Sequence, residues 1–156
     1  MAWKKAFSLI ELVMLMAIMA TGAMIIIPKF ANFLAYYAID AQARRLVADL
    51  RLARQLAIFE QRDYEVAFAA SAQSQSGSRL NAYTVKNDAQ TIQARSLEGN
   101  VYVDGSGNLT LRFDKLGRMA GTVQTVELNV RVYNSSTPQK TIKVNGITGM
   151  ISLAEQ

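Results

Sequence analysis

The sequence predicts an α+β fold, one long N-terminal helix packed on antiparallel β-sheet. Three observations predict it. Phe7 to Ile27 is an almost unbroken apolar run of 21 residues. From Ile39 to Ala57 apolar residues recur at helical spacing, and from Tyr64 the hydrophobic period changes to two.

As a helix rising about 1.5 Å per residue, the first run reaches roughly 32 Å, enough for a hydrocarbon core of about 30 Å. Ten of its residues are Leu, Ile, Phe or Val, and at roughly 0.3 to 0.6 kcal/mol each they favour insertion by about 3 to 6 kcal/mol. Glu11 opposes this by at most about 3.5 kcal/mol, less near the edge of the span, so insertion wins. A carboxylate here calls for a partner, yet no Lys, Arg or His lies between Phe7 and Ile27. The partner must come from elsewhere. Lys4 and Lys5 flank the short side, which keeps that side cytoplasmic and sends the bulk of the chain across the membrane. A cleaved signal peptide fits less well, because the run exceeds the usual 7 to 15 residues, about, and no small-x-small site leads out of it. Pro28 closes the run; it removes one helix hydrogen bond and is expected to kink or locally melt the helix there.

Beyond Pro28 the helical pattern resumes. Ile39, Ala43, Leu46, Leu50, Ala53 and Ala57 form one stripe, with Arg44, Arg45, Arg51, Arg54 and Arg62 mostly off it. The expected helix runs from about Phe7 to near Arg62. The arginines could form a nucleic-acid stripe, but Asp49, Glu60 and Asp63 alternate with them and no aromatic is interleaved, so a solvated face is the preferred reading. Tyr64, Val66 and Phe68 then alternate with Glu65 and Ala67 as a strand, and the Ser/Gln-rich stretch 69–79 reads as a hairpin loop. Further strands are expected over 81–86, 91–96, 100–103, 109–113, 123–133, 139–144 and 149–153, with turns at 104–108, 115–117, 134–138 and Asn145-Gly146.

Composition limits the chemistry. With 156 residues and one anchor there is room for a single domain of about a hundred residues. Without cysteine, neither disulfides nor lipid attachment through an N-terminal Cys is available; without histidine, Ser-His pairs and the commonest zinc ligand are lost. The formal charge of +5 falls to +3 without Lys4 and Lys5, a mild excess that permits an anionic partner without requiring one. Asp104, Ser106 and Asn108 have the alternate spacing of a calcium loop, but Leu109 and Lys115 stand where an EF-hand wants Gly and Glu, and a hairpin turn is preferred. Asp63, Glu65, Asp104, Asp114 and Glu127 read as surface charges. No cofactor is expected.

The segment Lys4-Lys5-Ala6-Phe7-Ser8-Leu9-Ile10-Glu11-Leu12 resembles the class III leader of type IV pilins and pseudopilins. The resemblance implies cleavage by a prepilin peptidase between Ala6 and Phe7, N-methylation of Phe7, and a Glu11 that attracts the charged amino terminus of a neighbour in the filament core. The family prefers Gly where this chain has Ala6, so slower processing is expected. Pro28 also matches a proline common in the family. The segment 41–58, with Leu111 to Arg118 and Lys140 to Gly146, is similar to GspH/FimT-type minor pseudopilins, a long helix with two packed antiparallel sheets. Gly146-Ile147-Thr148-Gly149 stands in the region where DNA-binding members carry a basic Gly-Arg-x-Arg tail, so the DNA role is not carried over.

The implied organisation is a cytoplasmic leader (1–6), a transmembrane and filament-core helix (7–28), an amphipathic spine (29–62) and a periplasmic β-rich head (63–156). The expected function is that of a non-enzymatic minor subunit that initiates or caps a type II secretion pseudopilus. The alternative is a minor type IV pilus subunit serving pilus biogenesis, DNA uptake or adhesion. The expected partners are other minor and major pseudopilins, prepilin peptidase and an inner-membrane assembly platform. The expected location is the inner membrane, single-pass, with the head in the periplasm.

Overall fold

The computed structural model describes residues 8–70, 79–88, 90–98, 101–105, 109–121, 124–132 and 140–154, with the side chains of 25–32 and 35 left aside. Helix α1 spans Leu9–Glu60, 52 residues, uninterrupted across Pro28. The chain divides into two compact units that meet between Ala35 and Tyr36, and each is described by itself.

In the first unit, Leu9, Ile10, Val13, Met14, Met16, Ile18 and Met19 are all exposed, on every side of the helix. Among the described residues no helix is long and apolar enough to cross a membrane, whereas the sequence reading expected Phe7 to Ile27 to do so. Phe7 and the side chains of Ile25 to Ile27, part of that expected span, lie outside the described residues.

In the second unit the helical stripe is the core face. Ile39, Ala43, Leu46, Leu50, Ala53 and Ala57 are each no more than 1% exposed, and Val47 widens the stripe. Three alanines on it let the sheets approach the helix backbone closely. The helix ends at Glu60 because Gln61 adopts a left-handed φ of 54° and the Arg62 N–H donates back to the Ala57 carbonyl at 3.3 Å. That is a Schellman termination, with Gln61 supplying a side-chain bond to the Ile58 carbonyl at 2.7 Å where glycine usually stands.

Nine strands follow among the described residues: β1 (Tyr64–Ala69), β2 (Arg79–Leu80), β3 (Ala82–Asn87), β4 (Thr91–Ser96), β5 (Val101–Asp104), β6 (Thr110–Phe113), β7 (Val126–Val132), β8 (Lys140–Val144) and β9 (Ile151–Ala154). They make a four-stranded sheet of order β4-β3-β1-β6 and a five-stranded sheet of order β2-β5-β7-β8-β9. Every pairing is antiparallel. One cluster of buried side chains draws on α1 and both sheets: Tyr64, Val66 and Phe68 from β1, Leu111 and Phe113 from β6, Leu128 and Val130 from β7, Ile142 and Val144 from β8. The alternation read from Tyr64 to Phe68 is the alternation of burial in β1.

Strand β2 has no signature in the sequence, because two residues are too short to show a period. It is held by Leu80, buried opposite Val103, and by the Arg79 guanidinium 5.3 Å over the Tyr102 ring. The expected loop at 69–79 and turn at 134–138 fall largely or wholly outside the described residues.

Candidate functional site

The exposed face of the first unit begins with a cap. The Ser8 carbonyl accepts from the N–H groups of Glu11 (3.0 Å) and Leu12 (3.2 Å), which starts the helix and puts Glu11 in its first turn. An acid there faces the positive end of the helix dipole. Thr21 turns its hydroxyl inward to the carbonyls of Ala17 (3.2 Å) and Ile18 (2.9 Å), so it shows no unpaired donor on the apolar surface. A helix apolar all round needs cover, from lipid or from other helices. Ala6 and Phe7 lie outside the described residues; at Pro28 the helix continues, and the proline side chain is not described.

The second unit uses its helix arginines as ties. Arg51 donates to the Ile151 carbonyl at 3.1 Å. Arg54 donates from Nε to the Gly117 carbonyl and from Nη2 to the Thr148 carbonyl, both at 3.0 Å. The turns 115–118 and 145–149 thereby meet on the helix. Gly149 (φ 63°) lies so close to the Gly117 carbonyl oxygen that a Cβ could not be placed there. Gly117 (φ 74°) would set a Cβ 2.6 Å from Ile58 Cδ1. Gly149 needs glycine for conformation and for space, Gly117 for conformation, since the end of the Ile58 side chain can turn aside. Around this junction Ile58, Phe59, Leu116, Ile147 and Met150 remain exposed, Phe59 at 87%. Arg44 is exposed and pairs with Asp40 at 2.7 Å, one turn back. Thus two of the arginines read as a solvated face are anchors, Arg54 half-buried and Arg51 still exposed.

Asp49 corrects the sequence reading further. Placed among the solvated charges by its neighbours, it is 7% exposed. Its Oδ2 accepts from the Tyr83 hydroxyl at 2.6 Å and pairs with Arg95 Nε at 3.1 Å. This ties α1 to β3 and β4. Burial first, and then the Asp49 bond, push the Tyr83 hydroxyl pKa upward, so the hydroxyl keeps its proton and donates. Tyr64 behaves alike: burial and its 2.7 Å bond to Glu60 raise it. Asp40 is lowered, first by the Arg44 hydrogen bond against the opposing effect of burial, with Lys140 at 3.4 Å adding to it. At Asp114, burial pushes upward, but backbone N–H donations from Arg118 and Leu116 and the Arg118 side chain outweigh it.

The other candidate acids each have a cation beside them. Asp63 pairs with Arg112 (3.0 Å), Glu65 with Lys86 (3.3 Å), Asp104 with Arg131 (3.2 Å), Asp114 with Arg118 (3.1 Å) and Glu127 with Lys143 (2.9 Å). Each of these carboxylates is paired with a cation, the arrangement of surface ion pairs. Among the described residues no group of three or more His, Cys, Asp or Glu could hold a metal. Of the calcium-like loop, Asp104 is committed to Arg131, and Ser106 and Asn108 lie outside the described residues.

The family described as Type II transport protein GspH matches residues 42–149. No curated protein matches the chain. Among solved structures, the type IV minor pilin FimU of Pseudomonas aeruginosa (strain PAO1) is similar in two crystal forms. One gives a TM-score of 0.57 at 15% identity over 74% of this chain and 87% of that chain. The other gives 0.55 at 14% identity over 74% and 91%. The fold is therefore pilin-like.

Proposed function

The chain belongs to the GspH family, and from that premise we propose that it is a minor subunit that initiates or caps a type II secretion pseudopilus. The observation that carries this is a GspH-type head over residues 42–149 preceded by Lys4 to Leu12 and an apolar helix. In this reading the leader is cut between Ala6 and Phe7 by a prepilin peptidase and Phe7 is N-methylated. The apolar helix holds the subunit in the inner membrane, head in the periplasm, until an assembly platform draws it out. Glu11 then meets the amino terminus of an adjacent subunit, an ion pair that apolar surroundings strengthen. Pro28, without an N–H, lets the helix bend between its membrane and head parts. The chain catalyses no reaction and takes no cofactor; its chemistry is that of surfaces.

A second reading, a minor subunit of a type IV pilus, draws support from the fold shared with FimU.

Intact and N-terminal fragment masses of the protein from membranes with and without active prepilin peptidase test the common ground. A chain beginning at methylated Phe7 only with the peptidase supports assembly into a filament. A chain still beginning near Met1 overturns it. Deletion, followed by assays of protein export and of surface pili, then separates the two machines.

A further inference from the structure

Strand β9 is an edge of the five-stranded sheet, with β8 on one side only. Its backbone alternates: the Met150 carbonyl accepts from the Asn145 N–H on the β8 side, while the Ile151 carbonyl turns outward to Arg51. By the same alternation the N–H and C=O of Leu153 face outward. Beside this edge, along α1, run two adjoining recesses of about 230 and 270 Å³ that share Arg51. Arg44, Val47, Ala48, Arg54 and Gln55 line their helix side, Met150, Ile151 and Leu153 their strand side, and no acid lines either. An open strand edge thus borders a trough whose lining combines apolar side chains with three arginines.

We propose that this trough receives an extended, carboxylate-bearing segment of another subunit, which pairs with the outer edge of β9. Arg51 is the placeholder. It satisfies the Ile151 carbonyl while the edge is open; an incoming strand offers its own N–H to that carbonyl, and the released guanidinium takes a carboxylate of the strand. No buried polar group is left unpaired in the exchange. Alternate apolar side chains of the strand pack on Val47 and Leu153, and those between meet Arg44 and Arg54. The proposal deepens the filament reading, on which it rests for the source of the segment. Peptide binding is measured apart from assembly, so either can fail alone.

The test uses the full chain in non-ionic detergent and a fluorescent hexapeptide of alternating valine and glutamate, read by anisotropy. Saturable binding below roughly 1 mM, at least about tenfold tighter than for the valine-lysine counterpart, is expected. N-methylation of the peptide at alternate positions should abolish it. Leu153→Pro removes an outward N–H without touching the β8 ladder and should weaken binding at least about tenfold. Arg44→Glu, at a side chain 66% exposed, should weaken it by a similar factor and serves if the proline variant loses its circular dichroism melt. The proposal is overturned by absence of saturation, by equal binding of the lysine peptide or of the N-methylated peptide, or by indifference to both variants. Displacement of the peptide by equimolar dioctanoyl-phosphatidylglycerol also overturns it, in favour of a lipid headgroup.

Discussion

Replacing Gly149 by alanine tests how tightly the head is closed. The added Cβ must enter the space of the Gly117 carbonyl oxygen, at a φ of 63°. The left-handed conformation alone costs an L-residue about 1 to 2 kcal/mol. The overlap can be relieved only by parting the two turns, and Arg54 bridges them through Gly117 and Thr148. Losing one such charged bond costs about 1.5 to 3 kcal/mol, so the expected destabilisation is about 3 to 5 kcal/mol. That is a large share of the roughly 5 to 15 kcal/mol that holds a domain. Gly121→Ala is the control: its φ is 89°, but nothing lies within 4 Å of a Cβ there, so only the backbone cost of about 1 to 2 kcal/mol applies. Urea melts of the full chain in detergent, followed by far-ultraviolet circular dichroism and tyrosine fluorescence, give both numbers. If Gly149→Ala melts within about 1 kcal/mol of Gly121→Ala, the reasoning about the junction is wrong.

Further expectations concern the core, the charges and the helix start. Tyr83→Phe deprives the buried Asp49 of one donor and leaves it Arg95, and should cost about 1 to 3 kcal/mol in the same melt. Asp40 and Asp114 have folded-state pKa values below their ordinary 3.8, so their stabilisation is complete above that value and is lost as pH falls through the lower folded values. Melting temperature should drop below about pH 4, and Asp114→Asn should flatten that drop. Tyr64 and Tyr83 are shifted upward from 10.0, so what they contribute is present below pH 10 and fades above it. Glu11→Gln should leave the melt of the head unchanged while reducing recovery of the subunit in sheared filaments; equal recovery would remove Glu11 from docking. Leu50→Ala, at a site with no exposure, should cost about 2 to 5 kcal/mol.

Periodicity carried most of this fold. The stripe from Ile39 to Ala57 and the alternation from Tyr64 to Phe68 each report one buried face, and burial of a face is what periodicity measures. What escaped were features that depend on distant pairing. Asp49 has the same local pattern as a solvated acid, and only Tyr83 and Arg95, on strands brought beside it, make it a buried tie. Arg51 and Arg54 sit in a charged run like any surface arginine, yet their acceptors are backbone carbonyls on turns and a strand that sequence spacing cannot align. Gly117 and Gly149 each announce a turn, but their contact with one another does not follow from either turn alone. The first half of the helix shows the other limit. Glu11 and the apolar run are plain in the sequence, while the partner proposed for Glu11 would belong to another molecule.

The reach of the two ties implies an order of events during synthesis. Arg54 meets Thr148 across 94 positions and Arg51 meets Ile151 across 100. The helix can form as soon as it emerges, from a ribosome or a translocation channel, but the groups it is to bind arrive last. Until then the β-sheet that ends in β9 lacks its outer strand, and the apolar face of α1 waits uncovered. Closing loops of that length is slow compared with helix formation. The interval between the two is when the chain is most open to proteases and to pairing with the wrong strand, and a pause in delivery anywhere between Glu60 and Thr148 would lengthen it.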